Sequence, residues 1–309
     1  MREIIILGAN GFVGSTLAAA ALSRDDLRLV LGSRKPFDIG TIAPGPSARA
    51  RVETLAYGRL EDADIERLAS ADAIVDLVSP GRTRFGSAFD LAPRIAGHVR
   101  LADGLATRGW EGHLVFISSG GTIYGGGSPE PIAESALRRP LGEYALEKAV
   151  VELHLQTLAE RDALASATLR VANVYGPTQP ARAGFGIVPA IAQALRDGTP
   201  FTRYGTGEAV RDYVFVDDVV EAVLRALDMR ATGKFNIGSG RGTSVNELIG
   251  TARELSSRPL LVSAVESPAG EPEAVVLDCA LAERTMGWKA RVDVREGLRR
   301  TLAHHGLIA

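Results

Sequence analysis

Residues 8–14 read GANGFVG and directly follow the apolar run IIIL at residues 4–7. A predicted helix begins within the same segment, so the glycines fall at a turn from a strand into a helix. Glycine at such a turn lets the backbone bend sharply and approach a pyrophosphate, whose negative charge is favoured by the free N–H groups of the helix N-terminus. The segment predicts a dinucleotide-binding turn, with contacts from Gly8, Asn10, Gly11, Phe12, Val13 and Gly14.

Short apolar runs rich in Ile, Val and Leu alternate with helix-length stretches after this turn. The predicted strands are residues 3–7, 28–31, 50–55, 73–77, 113–118 and 167–171, and the predicted helices are 13–23, 62–69, 88–108, 144–161 and 188–197. This alternation is typical of a parallel sheet whose two faces are covered by helices. The predicted fold class is therefore α/β, with a Rossmann-type doubly wound parallel sheet.

The regular alternation ends near residue 173, where glycines and prolines mark loops. We expect a dinucleotide-binding domain over residues 1–172 and a smaller C-terminal α/β substrate-binding lobe over 173–309. The segment 211–240 contains a predicted strand and helix and is expected to return to the first domain. Strands at 259–265 and 275–278 and a helix at 294–304 are predicted to complete the second lobe.

The composition limits the classes of protein to consider. The chain has 309 residues, a net charge of −2 and ordinary globular shares of hydrophobic and charged residues, so neither a nucleic acid nor a membrane is predicted as a partner. Cys279 is the only cysteine, which excludes an internal disulfide. With no long apolar run and no signal-like N-terminal segment, we expect a cytoplasmic protein, and we predict no metal site.

The end of the second predicted strand bears on the choice of cofactor. NAD-selective enzymes usually have an acidic residue there to bind the ribose hydroxyls, but this chain has Ser33, Arg34 and Lys35. A guanidinium pairs well with phosphate, so Arg34 is a candidate ligand for the 2′-phosphate of NADP. The alternative is a solvated basic loop, and both NAD and NADP therefore stay open.

The segment YALEK places Tyr144 and Lys148 four residues apart at the start of a predicted helix, so the two side chains project from one face. Free phenols ionise at about pH 10, but a nearby ammonium favours the phenolate form. A tyrosine in this setting can exchange a proton with a sugar hydroxyl while a nicotinamide takes the hydride. Without further context, such a pair is more often an ordinary surface pair than a catalytic site.

That context comes from seven segments found in a fixed order along the chain. They are GANGFVGS from Gly8, VFISSGGTIYG from Val115, YALEK from Tyr144, LRVANVYGP from Leu169, GEAVRDYVFVDDVV from Gly207, FNIGSGRGTSVNEL from Phe235 and DxxxAxxxMGW ending at Trp288. With these segments the chain resembles, nearly end to end, the extended short-chain dehydrogenase/reductases of the NAD-dependent epimerase/dehydratase family. The resemblance is greatest to the UDP-glucose 4-epimerase branch.

This resemblance implies an NAD(P)-dependent epimerase that inverts C4 of a UDP-hexose through a transient 4-keto sugar. An NADP-dependent reductase of a keto sugar or another carbonyl compound is an alternative favoured by Arg34, and a cofactor-binding regulatory protein is a non-enzymatic one. A dehydratase is disfavoured, because that branch has an Asp-Glu pair where this chain has Gly121 and Thr122. The resemblance also implies a homodimer formed through the helices at 88–108 and 144–161, although the core of a monomer could use their apolar faces equally.

In the family a Ser or Thr hydroxyl lies beside the catalytic tyrosine, and here the chain departs from the pattern. The corresponding position falls on Gly120, with Ser119 just before it and Thr122 two residues after it. We predict Ser119, 25 residues before Tyr144, as the assisting hydroxyl and retain Thr122 as the alternative. Both could instead make local hydrogen bonds to the backbone.

The resemblance also assigns the binding residues. Asn173 matches a sugar-nucleotide contact, Arg211 matches an arginine that clamps the diphosphate, and Tyr204 matches an aromatic residue beside the base. Ile187 and Val188 are expected to line the same cavity, although these apolar residues and Tyr204 could equally pack between the lobes. The cofactor contacts implied outside the glycine turn are Ser33, Arg34, Leu60, Leu77, Val78, Ser79, Ser118, Tyr144 and Lys148.

Three further departures predict altered contacts to the cofactor or the substrate. The second phosphate-binding arginine of the family has no counterpart in SPAGE at residues 267–271. The acid of a family pair near the adenine appears as Arg59, followed by Leu60. An asparagine on the helix after the fourth strand appears as Arg94.

Overall fold

The computed structural model describes residues 1–34, 38–43, 45–58, 64–79, 91–125, 131–181, 186–267 and 272–308. Leu60, a predicted cofactor contact, lies outside the described residues, as do Lys35 and Arg59. No helix within the described ranges is both long and apolar enough to cross a bilayer. In the same part of the chain, no three His, Cys, Asp or Glu side chains converge in a way that could hold a metal ion.

The strands and helices in this part of the chain follow the alternation seen in the sequence. The strands are β1 Arg2–Leu7, β2 Leu27–Ser33, β3 Val52–Ala56, β4 Ala73–Asp76, β5 His113–Ser119, β6 Ser166–Val171, β7 Asn173–Tyr175, β8 Phe201–Tyr204, β9 Val210–Phe215, β10 Gly233–Ile237, β11 Gly242–Ser244, β12 Val262–Val265 and β13 Ala274–Val275. The α-helices are α1 Phe12–Leu22, α2 Pro46–Arg49, α3 Ile65–Ala69, α4 Leu91–Ala106, α5 Gly120–Ile123, α6 Glu143–Glu160, α7 Ile187–Asp197, α8 Val216–Asp228, α9 Val245–Leu255, α10 Ala280–Met286 and α11 Val294–His304.

Seven strands form one sheet in the order β10-β6-β5-β4-β1-β2-β3. The pairs β3–β2, β2–β1, β1–β4 and β4–β5 are parallel. Six of these strands have the order 3-2-1-4-5-6 that characterises dinucleotide-binding folds, so the predicted Rossmann-type α/β fold is confirmed. In such sheets ligands bind at the carboxyl ends of the strands, where the chain places Leu7, Asp76 and Ser119.

The apolar core explains why these segments became buried strands and covering helices. Ile5 and Leu7 of β1, Ile74 of β4 and Phe116 of β5 are almost fully buried in one cluster with Leu101 of α4. Strands buried on both faces need nearly continuous apolar sequence, which is the pattern that identified them. The core therefore fixes the strand ends from which the candidate site is built.

Contacts divide the chain into two compact units. The first comprises residues 1–119, 140–170 and 220–235, and the second comprises 120–139, 171–219 and 236–309. The returning segment is thus 220–235, shorter than the predicted 211–240, because β9 pairs with β7, β11 and β13 of the second unit. Residues 120–139 group with the second unit, where the backbone of Ile132 bonds to Val276 and Asp278. The binding roles given to the two domains stay predictions.

The second unit has its own small sheets and contains most of the differences from the predicted elements. Its strands β11, β9 and β13 are neighbours, β7 also pairs with β9, and β12 pairs with β8. The strand predicted at 275–278 is wrong in extent, since β13 is only two residues long. Helix α9 was not predicted, although Ser244 and Glu247 form a capping box at its start.

Candidate active site

The glycine turn after β1 has the geometry that its sequence predicts. Gly8 adopts a φ of 85°, a left-handed conformation that favours glycine. A Cβ on Gly14 would overlap the carbonyl oxygen of Gly8, so helix α1 approaches the turn too closely for any side chain there. Gly11 N–H donates to the Gly8 carbonyl at 3.0 Å and closes the turn. The backbone is therefore shaped for close approach by a ligand.

The start of α1 has the features of an anion-binding site. Its N-cap is Gly11, no side chain caps it, and its first turn carries no acidic residue. The first N–H groups of a helix have no partner inside that helix and carry a partial positive charge. Phe12, Val13 and Gly14 occupy this first turn, so the turn and the helix start fit the pyrophosphate of a dinucleotide.

The end of β4 lies against this turn. A Cβ on Gly8 would be 3.2 Å from the backbone of Leu77, and the Leu77 N–H donates to the carbonyl of Leu7 at 3.0 Å. The next residue, Val78, donates its N–H to the Asp76 carboxylate at 3.0 Å. The predicted contacts Leu77 and Val78 are thus next to the glycine turn and fixed by hydrogen bonds, and Ser79 follows them as an exposed residue.

Tyr144 and Lys148 project from the first turns of α6, as their spacing predicts. Tyr144 is half-buried, whereas Lys148 is only 1% exposed. The Lys148 ammonium lies 5.8 Å from the centre of the Tyr144 ring and 4.7 Å from that of Phe116, and it donates to the carbonyl of Val78 at 3.3 Å. The structure therefore brings the predicted catalytic pair to the end of β4.

Three buried ionisable residues near Lys148 were missed by the sequence analysis. They are Asp76 at the end of β4, His98 on α4 and Glu147, the residue before Lys148. His98 Nδ1 lies 2.6 Å from an Asp76 oxygen, and Glu147 Oε1 lies 3.8 Å from His98 Nε2 and 3.5 Å from Lys148 Nζ. A signal existed in the sequence, since Asp76 is a charged residue within an apolar run and Glu147 lies inside YALEK.

Neighbouring charges shift the pKa values of these three residues. Burial opposes the charged form of His98, but the neighbouring Asp76 carboxylate outweighs it and raises the pKa of His98. Burial likewise opposes ionisation of Asp76, yet the His98 cation, with a smaller contribution from Lys148, keeps the pKa of Asp76 lowered. The pKa of Glu147 is also lowered, because His98, Lys148 and Arg94 together outweigh its burial. The cluster is therefore one of alternating charges.

Arg94, where the family pattern has an asparagine, faces this cluster. Its guanidinium lies 3.9 Å from a Glu147 oxygen, and its side chain is only 12% exposed. The departure noted in the sequence thus places a cation beside Glu147.

The predicted cofactor contact Ser118 takes part in a second buried network. Its hydroxyl donates to Glu152 of α6 at 2.5 Å. Arg170 of β6 pairs with the same carboxylate through Nη2 at 2.6 Å and through Nε at 3.1 Å. All three side chains are buried, so this network ties β5 and β6 to the helix that carries Tyr144 and Lys148. The hydroxyl of Ser118 serves the core, while Ser119 follows it as a half-buried residue at the strand end.

The predicted contacts at the end of β2 differ in exposure. Ser33 is buried, and its carbonyl accepts the N–H of Tyr57 at 3.0 Å, whereas Arg34 is exposed. Tyr57 was missed by the sequence analysis and packs against Gly32, where an added Cβ would lie 3.2 Å from its ring. Burial raises the pKa of Tyr57, so its hydroxyl stays protonated and can donate.

In the second unit, Asn173 and Arg211 lie on neighbouring strands. Asn173 of β7 pairs in register with Tyr213 of β9, and its amide donates to the Asp212 carbonyl at 3.0 Å. Gly121, next to Thr122, adjoins the Asn173 side chain, since a Cβ there would lie 3.5 Å from the amide nitrogen. The second unit therefore contains the half-buried hydroxyl of Thr122, the amide of Asn173 and the guanidinium of Arg211.

The remaining predicted substrate contacts also belong to the second unit. Val188 is buried in the first turn of α7, whereas Ile187 beside it is half-buried. Tyr204 at the end of β8 is 55% exposed, which is unusual for an aromatic residue that serves only a core. Tyr204 thus presents its ring to solvent, and Val188 contributes to packing.

These features agree with a family comparison. The sequence profile of the NAD dependent epimerase/dehydratase family matches residues 4–238 of the 309-residue chain. The chain belongs to this family. The resemblance inferred from the seven segments is therefore confirmed, and the chain is an NAD-dependent enzyme of the epimerase type.

Individual relatives are similar along their full length. The UDP-glucose 4-epimerase of Mycolicibacterium smegmatis is 29% identical, and the match covers 96% of each chain. The Thermus thermophilus UDP-glucose 4-epimerase in complex with NAD is 27% identical with a TM-score of 0.86, covering 99% of both chains. The Thermotoga maritima UDP-glucose 4-epimerase with UDP-glucose is also 27% identical with a TM-score of 0.86, covering 98% of both. Within this family, the chain is therefore UDP-glucose 4-epimerase-like.

Proposed function

We propose that the chain is a UDP-hexose 4-epimerase in which Tyr144 exchanges the proton of the C4 hydroxyl and Lys148 supports it. The observation that carries this proposal is the buried Lys148 ammonium, 5.8 Å from the Tyr144 ring and bonded to Val78 at the end of β4. A cation fixed beside a half-buried phenol stabilises the negative charge that its oxygen carries while a proton is exchanged.

The proposed reaction leaves no net change in protons. The chemistry that NAD supplies when bound is reversible uptake of the hydride from C4. Tyr144 takes the hydroxyl proton as the C4–H bond breaks, which yields a 4-keto sugar. The keto sugar would then present its other face. Return of the same hydride to C4, and of the proton from Tyr144 to the oxygen, would invert C4. Water must be kept away from this sugar, and the buried surroundings of Lys148 on one side of the phenol serve that end.

The glycine turn and the start of α1 would hold the pyrophosphate of the cofactor, and Leu77, Val78, Ser79 and Lys148 would supply further cofactor contacts. We retain Ser119 as the hydroxyl that assists Tyr144, with Thr122 as the alternative. Ser118 would contribute to the cofactor site through its backbone, because its hydroxyl already binds Glu152.

A UDP-sugar is the proposed substrate, as in the Thermotoga maritima enzyme, whose structure contains UDP-glucose. Asn173 would donate to the sugar nucleotide, Arg211 would pair with its diphosphate, and the exposed ring of Tyr204 would stack on its base. Ile187 would line this cavity, and the buried Val188 would support it from behind.

A reductase that uses NADP is the second candidate, and the exposed Arg34 is the observation that favours it. The sequence has Ser33 and Arg34 at the end of β2 in place of an acid, and the exposed guanidinium of Arg34 would pair with a 2′-phosphate. A reductase would need a reduced cofactor in each turnover, whereas an epimerase regenerates its own.

We also propose a homodimer. Within the first unit, α4 packs against α6, and His154 of α6 bonds to Asp103 of α4 at 2.8 Å. Leu146 and Leu153 of α6 are 41% and 54% exposed and lie seven residues apart, on one side of the helix. Apolar side chains in that arrangement fit a helical interface. The cytoplasmic location stays a prediction.

Incubation of the purified protein with UDP-glucose, UDP-galactose or their N-acetyl forms, without added cofactor, tests the proposed function. We expect interconversion of at least one pair, because the hydride returns to the sugar that lost it. Turnover that requires added NADPH and a ketone would assign the reductase instead. Acid release of the bound nucleotide then identifies the cofactor. If it is NADP, a loss of NADP affinity in Arg34→Ala would assign the 2′-phosphate to Arg34.

A further inference from the structure

Five residues of the first unit form a closed ring of contacts that includes Lys148. The Lys148 ammonium donates to the Val78 carbonyl, and the Val78 N–H donates to Asp76 Oδ1. Asp76 Oδ2 lies 2.6 Å from His98 Nδ1, and His98 Nε2 lies 3.8 Å from Glu147 Oε1. Glu147 Oε1 returns to Lys148 at 3.5 Å. The ring therefore joins the ends of α6 and β4 through α4.

The four ionisable members of this ring are almost completely removed from water. Asp76, His98, Glu147 and Lys148 are 2%, 4%, 0% and 1% exposed. Isolated charges in such surroundings are strongly disfavoured, so each must be compensated by its neighbours. Around the ring the charges alternate, with Asp76 and Glu147 negative and His98 and Lys148 positive. Arg94 adds a third cation 3.9 Å from Glu147.

Glu147 differs from the other members because it is held by charge alone. Neither of its carboxylate oxygens has a hydrogen-bond partner among the described residues. Its nearest cations, Lys148, His98 and Arg94, lie at 3.5, 3.8 and 3.9 Å, beyond hydrogen-bond range or at its limit. A carboxylate in this position contributes mainly an electrostatic field, which extends to Lys148 and to Tyr144 one helical turn away.

We propose that Glu147 and His98 are positioning residues that act through Lys148, with Glu147 holding the ammonium in place and His98 balancing the charge of Glu147. The proposal rests on the catalytic role proposed for Tyr144 and Lys148. Glu147 alone would weaken the attraction of Lys148 for a phenolate, and the cation of His98 offsets that effect. Asp76 fixes the orientation of His98 and, through Val78, the carbonyl to which Lys148 is bonded.

This arrangement predicts opposite effects for two substitutions. Glu147→Gln removes a negative charge near Tyr144 and so makes a negative charge on the Tyr144 oxygen less unfavourable. The low-pH limb of the plot of kcat against pH should therefore move to lower pH. His98→Gln removes a positive charge and should move that limb to higher pH. We expect each shift to be about one pH unit, a size typical of the loss of one nearby buried charge. Residues that only stabilised the fold would lower activity or stability without moving the limb in opposite directions.

The turnover test compares kcat against pH for the wild type, Glu147→Gln, His98→Gln and the conservative Glu147→Asp. We expect the two Gln variants to shift the limb in opposite directions, and Glu147→Asp to restore a profile close to that of the wild type. Limbs that coincide in all four proteins, or that move in the same direction in both Gln variants, would overturn the proposal.

A second measurement needs no turnover and separates this proposal from the proposed function. NMR titration of His98 should give a lower midpoint in Glu147→Gln, which loses an anion. The midpoint should be higher in Lys148→Met, which removes one of the two other cations beside Glu147 and leaves Arg94. A His98 midpoint unchanged in both folded variants overturns the shared role of Glu147. Absence of UDP-sugar interconversion in the wild type, with both NMR shifts present, rejects the epimerase and retains the coupling.

Discussion

Replacement of Tyr144 by phenylalanine should lower kcat for UDP-sugar interconversion by about 10²–10⁴-fold, the usual contribution of a positioned acid-base group. Phenylalanine keeps the ring that lies 5.8 Å from the Lys148 ammonium but removes the oxygen that carries the proton. The affinity for the sugar nucleotide should change little, since the proposed anchors of the nucleotide are Arg211 and Tyr204. Steady-state kinetics with UDP-galactose, together with a direct binding measurement, separate the two effects.

The matched control is Tyr175→Phe. Tyr175 is buried, its hydroxyl donates to the Asp293 carbonyl at 3.4 Å, and it packs against Gly297. Loss of this weak hydrogen bond should leave kcat within a few-fold of the wild type. Equal losses of kcat in the two variants, or full activity of Tyr144→Phe, would remove Tyr144 from the reaction.

The second large effect is on stability. Arg170→Met should lower the free energy of unfolding by about 3–5 kcal/mol, because it leaves the carboxylate of Glu152 buried without its cation. Both side chains are only 1% exposed, and their closest contact is 2.6 Å. The network ties β5 and β6 to α6, so catalytic activity should also be lost at a lower temperature. Urea unfolding, followed by circular dichroism, measures the change.

Arg295→Met provides the control for this prediction. Arg295 pairs with Glu254 at 2.5 Å, but the two side chains are 60% and 64% exposed. Exposed ion pairs contribute about 0.2–1 kcal/mol. Arg295→Met should therefore lower the free energy of unfolding by less than Arg170→Met does. Similar losses for the two variants would show that burial does not set the importance of the Arg170 pair.

The sequence was sufficient to predict the parallel sheet, because both features that define it are local. The glycines from Gly8 to Gly14 permit the turn, and the central strands of the first unit, such as β1 and β5, contain nearly continuous apolar runs. The second unit was harder to predict, since β7, β11 and β13 are two or three residues long. Strands of that length are defined by their pairing with β9, and periodicity cannot reveal them.

The candidate site was likewise only partly predictable from the sequence. Tyr144 and Lys148 could be predicted because their spacing on one helix fixes their relative position. Asp76, His98 and Glu147 come from three elements, and only the packing of α4 and α6 on β4 brings them together. The charged residue in the apolar run of β4 and the acid inside YALEK do not reveal that the three side chains meet, since isolated charged residues are usually exposed. Arg94 was recognised as a departure from the family pattern, but its position beside Glu147 follows only from the fold.

In the proposed reaction, the hydrogen removed from C4 returns to the same sugar on a cofactor that stays bound. Conversion of UDP-glucose carrying deuterium at C4, followed by mass spectrometry and NMR of the UDP-galactose formed, tests it most directly. We predict that the product retains deuterium at C4 when no cofactor is added and the solvent is ordinary water. A product that has lost its deuterium, or that forms only when external NADPH supplies hydrogen, would contradict the claim.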